Sequence, residues 1–318
     1  MKNKKHLPII KAVRILSGGF QKLRPALLVL VVLLTHSCVE IATNVDFPDQ
    51  DPKVVVHSFI SPVDSAAMAL LTWSIPVQTP DGEAQLRYIE NAVVRISAGD
   101  GREVYLQYDQ ERKLYTASTE MFAIEPNEEY FLMADVPGQP IITAACFIPP
   151  ANNTLHFIEL DTIVEDYSKR IVLSYGFTDI PGNRENFYAP AAYREIAGYH
   201  WQGDSLVYKK EKHLMHNITG RRYFSNIGSE GRDYVIRAEA YLSSWDEKSM
   251  NVFQGDESQD IILLLLVTDE HYFRYHQGLT NYVPDDFFSE SVHMYSNIEG
   301  GLGVFAGYNR TVVRLLSE

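Results

Sequence analysis

Cysteine is scarce in this chain: Cys38 and Cys146 are the only two in 318 residues. Two thiols cannot build a disulfide framework or a cysteine-rich zinc site. Cys146 lies in the apolar run Ala144-Ala145-Cys146-Phe147-Ile148, so a buried, inert thiol is expected there. Acidic residues are missing from the start, with none before Glu40, whereas seven of the 28 Lys and Arg residues precede Cys38. That leaves 21 bases against all 41 acids from residue 39 onward, a net charge of −20. A body this acidic has no electrostatic means of gripping phosphate backbones, so nucleic acid is excluded as a partner. It is also repelled by anionic lipid surfaces, so membrane attachment would need something other than charge.

A long hydrophobic run is missing too. The apolar stretch Ala26-Leu27-Leu28-Val29-Leu30-Val31-Val32-Leu33-Leu34 would span roughly 14 Å as a helix at about 1.5 Å per residue. A bilayer core is about 30 Å thick and needs about 20 residues. With its basic flank, the stretch reads as the core of a signal peptide. It is followed by Thr35-His36-Ser37-Cys38, which resembles a bacterial lipobox: apolar residues, a small residue before the cut, then the cysteine whose thiolate accepts diacylglycerol. Thr35 stands where lipoboxes usually carry Leu, with Leu34 one step back, and His36 is an unusual occupant. Ordinary signal-peptidase cleavage nearby and an uncleaved anchor are the competing outcomes. The expectation is therefore a leader over 1–37, lipidation at Cys38, a tether over 38–52 with Pro48 and Pro52, and attachment to a lipid bilayer.

Motifs specific to a reaction are absent. There is no Gly-Lys-Ser/Thr phosphate loop, no Gly-x-Ser-x-Gly elbow and no His-Glu-x-x-His pair. His213 and His216, with His200 nearby, and His271 and His276 have no carboxylate placed as a third ligand, and all five are expected to be solvated. Asp256-Glu257-Ser258-Gln259-Asp260 lacks the alternating oxygen ligands of a calcium loop. The adjacent Asp285 and Asp286 diverge in direction and make a poor acid–base pair. No metal, cofactor or catalytic residue is assigned.

What the chain has is strand pattern, with 19 Tyr and 15 Phe to pack on pleated surfaces. Apolar alternation over 53–60, 66–77, 92–96, 103–108, 130–136 and 141–148 predicts an N-terminal immunoglobulin-like β-sandwich over 53–148. Ala98-Gly99-Asp100-Gly101 reads as a hairpin turn inside it. Pro149-Pro150-Ala151-Asn152-Asn153 marks a domain boundary. A second, mostly antiparallel β domain is expected over 151–318. It takes strands at 170–177 and 233–241, a wholly apolar central strand at 261–267, and a return to strand at the C-terminus. Tyr272, Tyr275 and Leu279 recur at helical spacing and predict one short helix. Overall the fold class is mainly β.

The most distinctive stretch is Ser296-Asn297-Ile298-Glu299-Gly300-Gly301-Leu302-Gly303-Val304-Phe305. Gly300, Gly301 and Gly303 permit close backbone approach or positive φ. With Asn297 they mark either a tight bend into a final strand or the wall of a ligand cleft. This stretch, with Cys38, Lys53-Val54-Val55-Val56 through Ile60-Ser61-Pro62, Asn91-Ala92-Val93-Val94, Phe122-Ala123-Ile124-Glu125-Pro126 leading to Tyr130, and Phe177-Thr178-Asp179, resembles domain-of-unknown-function family 4249, lipoproteins of Bacteroidota. The resemblance covers nearly all of the chain beyond the leader. It implies an outer-membrane-anchored envelope lipoprotein, often encoded beside TonB-dependent receptors, and supplies no catalytic or binding residues. The expected role is a non-enzymatic binding or accessory module near such a receptor. The alternative is an enzyme that processes envelope glycan or peptide.

Overall fold

A computed structural model describes residues 51–75, 85–165, 168–182, 184–202, 205–220, 222–241, 259–281 and 294–316. Residues 1–37, read above as a leader, Cys38 and the expected tether as far as Gln50, Asp256 to Ser258, and Asp285 and Asp286 lie outside the described residues. The chain from Asp51 to Glu318 forms one compact unit.

Its first strands are β1 (Val54–Ile60), β2 (Ala66–Trp73), β3 (Val93–Ala98), β4 (Glu103–Asp109), β5 (Leu114–Ser118), β6 (Glu129–Asp135) and β7 (Ile142–Phe147). There follow β8 (His156–Glu165), β9 (Ser168–Thr178), β10 (Phe187–Gln202), β11 (Ser205–Leu214), β12 (His216–Asn217), β13 (Phe224–Ser225), β14 (Asp233–Tyr241) and β15 (Gln259–Thr268). The helix α1 (Glu270–Asn281) and the long final strand β16 (Leu302–Leu315) complete the order. The fold is mainly β, as its alternating sequence dictates. In β1 the burial alternates residue by residue, with Val54, Val56, Ser58 and Ile60 inside, because successive side chains of a strand point to opposite faces.

One large sheet runs β11-β10-β15-β16-β1-β2-β5-β4-β3-β6-β7, and a four-stranded sheet runs β12-β14-β9-β8. Among the described residues every strand pairing is antiparallel except β1 with β16, which runs parallel from Val55 opposite Leu302 to Ile60 opposite Gly307. The large sheet curls back on itself. Thr143 of β7 and Glu299, just ahead of β16, exchange both backbone hydrogen bonds at 3.2 and 2.8 Å. The first core therefore lies inside a sandwich-like wrap, built from Val56, Leu71, Ile96, Tyr130, Leu132 and Ile142 among others. The second core packs β9 and β14 against β10 and β15 through Leu173, Tyr175, Phe177, Tyr188, Leu263 and Leu265.

β16 serves both cores. Phe305 belongs to the first, while Val313 and Leu315 pack on the second. The wholly apolar run at 261–267 is the central strand β15, flanked by β10 and β16. A large side chain fully buried there contributes about 1.5–3 kcal/mol.

Candidate functional site

A cleft of about 560 Å³ is lined by Phe147, Pro149, Pro150, Ile180, Pro181, Arg184 and Phe187. Asp269, Glu270 and His271 close its end. Pro149 and Pro150, which cannot donate to a ladder, lie in the connection between β7 and β8 and line the cleft. Arg184 lies with its guanidinium 4.0 Å from the centre of the Phe147 ring, a cation–π contact that puts a positive charge in the lining of the cleft.

Asp269 is the most heavily used side chain at this junction. It follows the last residue of β15 and caps α1: its Oδ1 accepts the Tyr272 N–H at 2.8 Å. Its Oδ2 accepts the Gly307 N–H at 3.0 Å and the Phe147 N–H at 3.3 Å. Its own N–H donates to the Gly307 carbonyl at 3.0 Å. One carboxylate thus ties the ends of β7 and β15, the middle of β16 and the first turn of the helix. Burial pushes its pKa up to about 7, although the three N–H donors pull the other way.

A second buried carboxylate, Asp179, adjoins Ile180 of the lining in sequence. Asp179 accepts the Tyr188 hydroxyl at 2.5 Å, the Asn226 amide at 2.9 Å, the Gly231 N–H at 2.8 Å and the Asn186 amide at 3.2 Å. Burial works to raise its pKa, but hydrogen bonds from Asn226, Tyr188, Gly231 and Asn186 outweigh it and hold the group below the usual carboxylate range. Asp269 holds three backbone N–H groups, whereas Asp179 holds three side chains and one backbone N–H.

The glycine-rich stretch is also tied to backbone. Asn297 donates to the Ala145 and Phe305 carbonyls at 3.0 and 2.7 Å and accepts the Phe305 N–H at 3.0 Å. It thereby bridges β7 and β16. Gly300, at φ +77°, and Gly301 lie against the Ile141 and Val54 carbonyls, where an added Cβ would come within 2.9 and 2.8 Å. Gly303, at φ +106°, is tighter still, with a Cβ position 2.0 Å from the Val56 carbonyl oxygen. Gly307, which sequence reasoning passed over, has the same need against Phe147. A shallow groove of about 470 Å³ does run beside Asn297 and Glu299, with Arg95, Met133 and His271 on its walls.

Two of the histidines expected to be solvated are not. His271 is half-buried, with its Nδ1 2.6 Å from the Tyr295 hydroxyl. His276 is packed among Phe59, Tyr223 and Tyr272. His57 joins this layer through the Tyr275 hydroxyl at 2.8 Å. Burial lowers the pKa of all three. Helical spacing of the tyrosines is a local signal, but the half-buried outer face of β1 that receives them is a long-range contact. No group of three or more His, Cys, Asp or Glu suited to a metal occurs among the described residues. Cys146 is buried and unpaired, and burial raises its thiol pKa well above the usual range.

A family model described as "Domain of unknown function (DUF4249)" matches residues 42–314. No curated protein matches. Among solved structures, trypsin-activated alpha-2-macroglobulin from Escherichia coli is similar at 8% identity and a TM-score of 0.20, over 69% of this chain. The chain spans 15% of the length of that protein.

Proposed function

This chain belongs to the DUF4249 family, and from that premise we propose a lipid-anchored, non-catalytic binding or accessory module that works at the outer membrane beside a TonB-dependent receptor. Lipid on Cys38 would supply the attachment that an acidic body cannot provide through charge. No helix among the described residues is long and apolar enough to cross a membrane.

The observation that carries the binding reading is the cleft. Its one buried carboxylate, Asp269, is already held by three backbone N–H groups. Its walls offer prolines, Phe187 and the stacked Arg184 as contact surface. Pockets of this size, mostly apolar with a few polar groups, are the usual shape of a binding site. Pull-down of the tagged protein from gently solubilised outer membrane tests it. Co-purification of a receptor, lost in Arg184→Glu, is expected; a clean monomer would count against the proposal.

The second reading, an enzyme acting on envelope glycan or peptide, draws on Glu185 and Glu270, which line the same cleft. Two carboxylates converging on a bound chain could act as acid and base. Turnover of a glycan or peptide that disappears in both Glu185→Gln and Glu270→Gln would favour it.

A further inference from the structure

We propose that β8 is a docking edge for an extended strand of a partner protein in which basic and apolar residues alternate. The inference deepens the binding reading by naming the partner's chemistry, and it rests on a surface separate from the cleft. β8 is ten residues long and pairs only with β9 among the described residues. An edge strand leaves half of its backbone N–H and C=O groups without a ladder partner, and that row is a template for a further strand.

The side chains are sorted for such a guest. Cross-strand partners share a face. Phe157, Leu160 and Thr162 stand opposite Tyr175, Leu173 and Ile171 of β9, so they lie on the core side of the sheet. The core stops short of them: Phe157 is 41%, Leu160 45% and Val164 74% exposed. Glu159, Asp161 and Glu165 stand on the other face, opposite Ser174, Val172 and Ser168. The edge therefore offers an uncovered apolar row on one side and, on the other, the exposed acids Glu159 and Asp161 together with Glu165, which meets Arg170 of β9 at 3.4 Å.

That acid row argues against a second copy as the guest. A two-fold antiparallel pairing keeps faces matched, so its centre must fall on a residue. Centred on Glu159 or Asp161, it sets that acid against itself. Centred on Leu160, Thr162 or Ile163, it sets Glu159 against Asp161, Glu159 against Glu165, or Asp161 against Glu165; centred on Val164, it pairs only Ile163, Val164 and Glu165 of β8. Like charges directly opposite are destabilising. A guest with Lys or Arg at those positions reverses the sign. The other long free edge, β11, carries Lys209, Lys210 and Lys212, the usual guard against strand addition.

The probe is a peptide of the length of β8 with alternating lysine and valine, offered to the full chain. Its glutamate–valine counterpart and a version interrupted by proline, which cannot donate to a ladder, serve as controls. The lysine peptide is expected to bind and to slow amide exchange in β8; both controls should bind at least about tenfold more weakly. The double variant Glu159→Lys, Asp161→Lys changes exposed positions, so it should keep the native circular dichroism while losing at least about tenfold in affinity for the lysine peptide. No binding, equal binding of both charge types, affinity that survives charge reversal, protection centred on β11, or concentration-dependent self-association removed by the double variant would each overturn the proposal. Failure here leaves the cleft intact as a binding surface, whereas failure to capture a receptor leaves the peptide result standing.

Discussion

Asp269 and Gly303 show how much of this molecule rests on single positions. In Asp269→Asn the amide must turn its NH₂ towards either the Tyr272 N–H or the pair from Phe147 and Gly307, donor against donor. A loss of about 1–3 kcal/mol is expected from denaturant unfolding, the typical cost of leaving buried partners unmet. The loss should depend on pH. Because the folded pKa of Asp269 is raised to about 7 above its ordinary value, its proton stabilises the fold at low pH, and that stabilisation is lost as pH rises through 7. The penalty of Asp269→Asn should therefore be larger at pH 4 than at pH 8; the reverse order would contradict the burial assigned to it. Gly303→Ala adds a methyl onto the Val56 carbonyl at a positive φ. It should cost upwards of about 2 kcal/mol or abolish soluble expression, whereas Ala at exposed Gly228 meets no atom and bears only the φ penalty.

At the level of elements, α1 depends on its layer with β1. Tyr275→Phe removes the hydroxyl that meets His57, and about 0.5–1.5 kcal/mol should be lost in thermal or denaturant unfolding. Loss indistinguishable from zero would mean that the aromatic packing with Phe59 holds the helix alone. The depressed histidines set a second pH trend. His57, His271 and His276 take up protons less readily when folded, so the stability they support is present above about pH 6.5 and lost as pH falls below it.

The elements also divide into those that period reveals and those it hides. β1, β6, β9, β14 and β15 have unbroken apolar alternation or a continuous apolar run, and α1 has its tyrosines, so local pattern suffices. β8 escapes because a register shift between Phe157 and Glu159 breaks the two-residue period. β10 escapes because it contains Pro190, an unusual strand residue. It is tolerated where β10 pairs with β15 on one side and β11 has not yet joined; that pairing starts at Tyr193. β11 reads as polar chain because it is a guarded edge. The Asp269 junction was not read from the sequence. Its bonds to Phe147 and Gly307 join positions far apart in sequence, and no spacing rule reaches them. The glycines signalled close approach correctly, but what they approach is backbone of β1 and β7.

For the whole molecule, the proposal is that one acylated thiol, at Cys38, holds an acidic β body to a membrane. Cys38→Ala should release the protein from the membrane fraction, since a net charge of −20 beyond the leader gives the body no other hold on anionic lipid. Retention in that fraction would require a different anchor. The most direct test is the intact mass of the protein purified from membranes. The account predicts a chain that begins at Cys38 and carries diacylglycerol and fatty-acyl mass. A chain that keeps residues 1–37, or one that begins elsewhere without acyl mass, would contradict it.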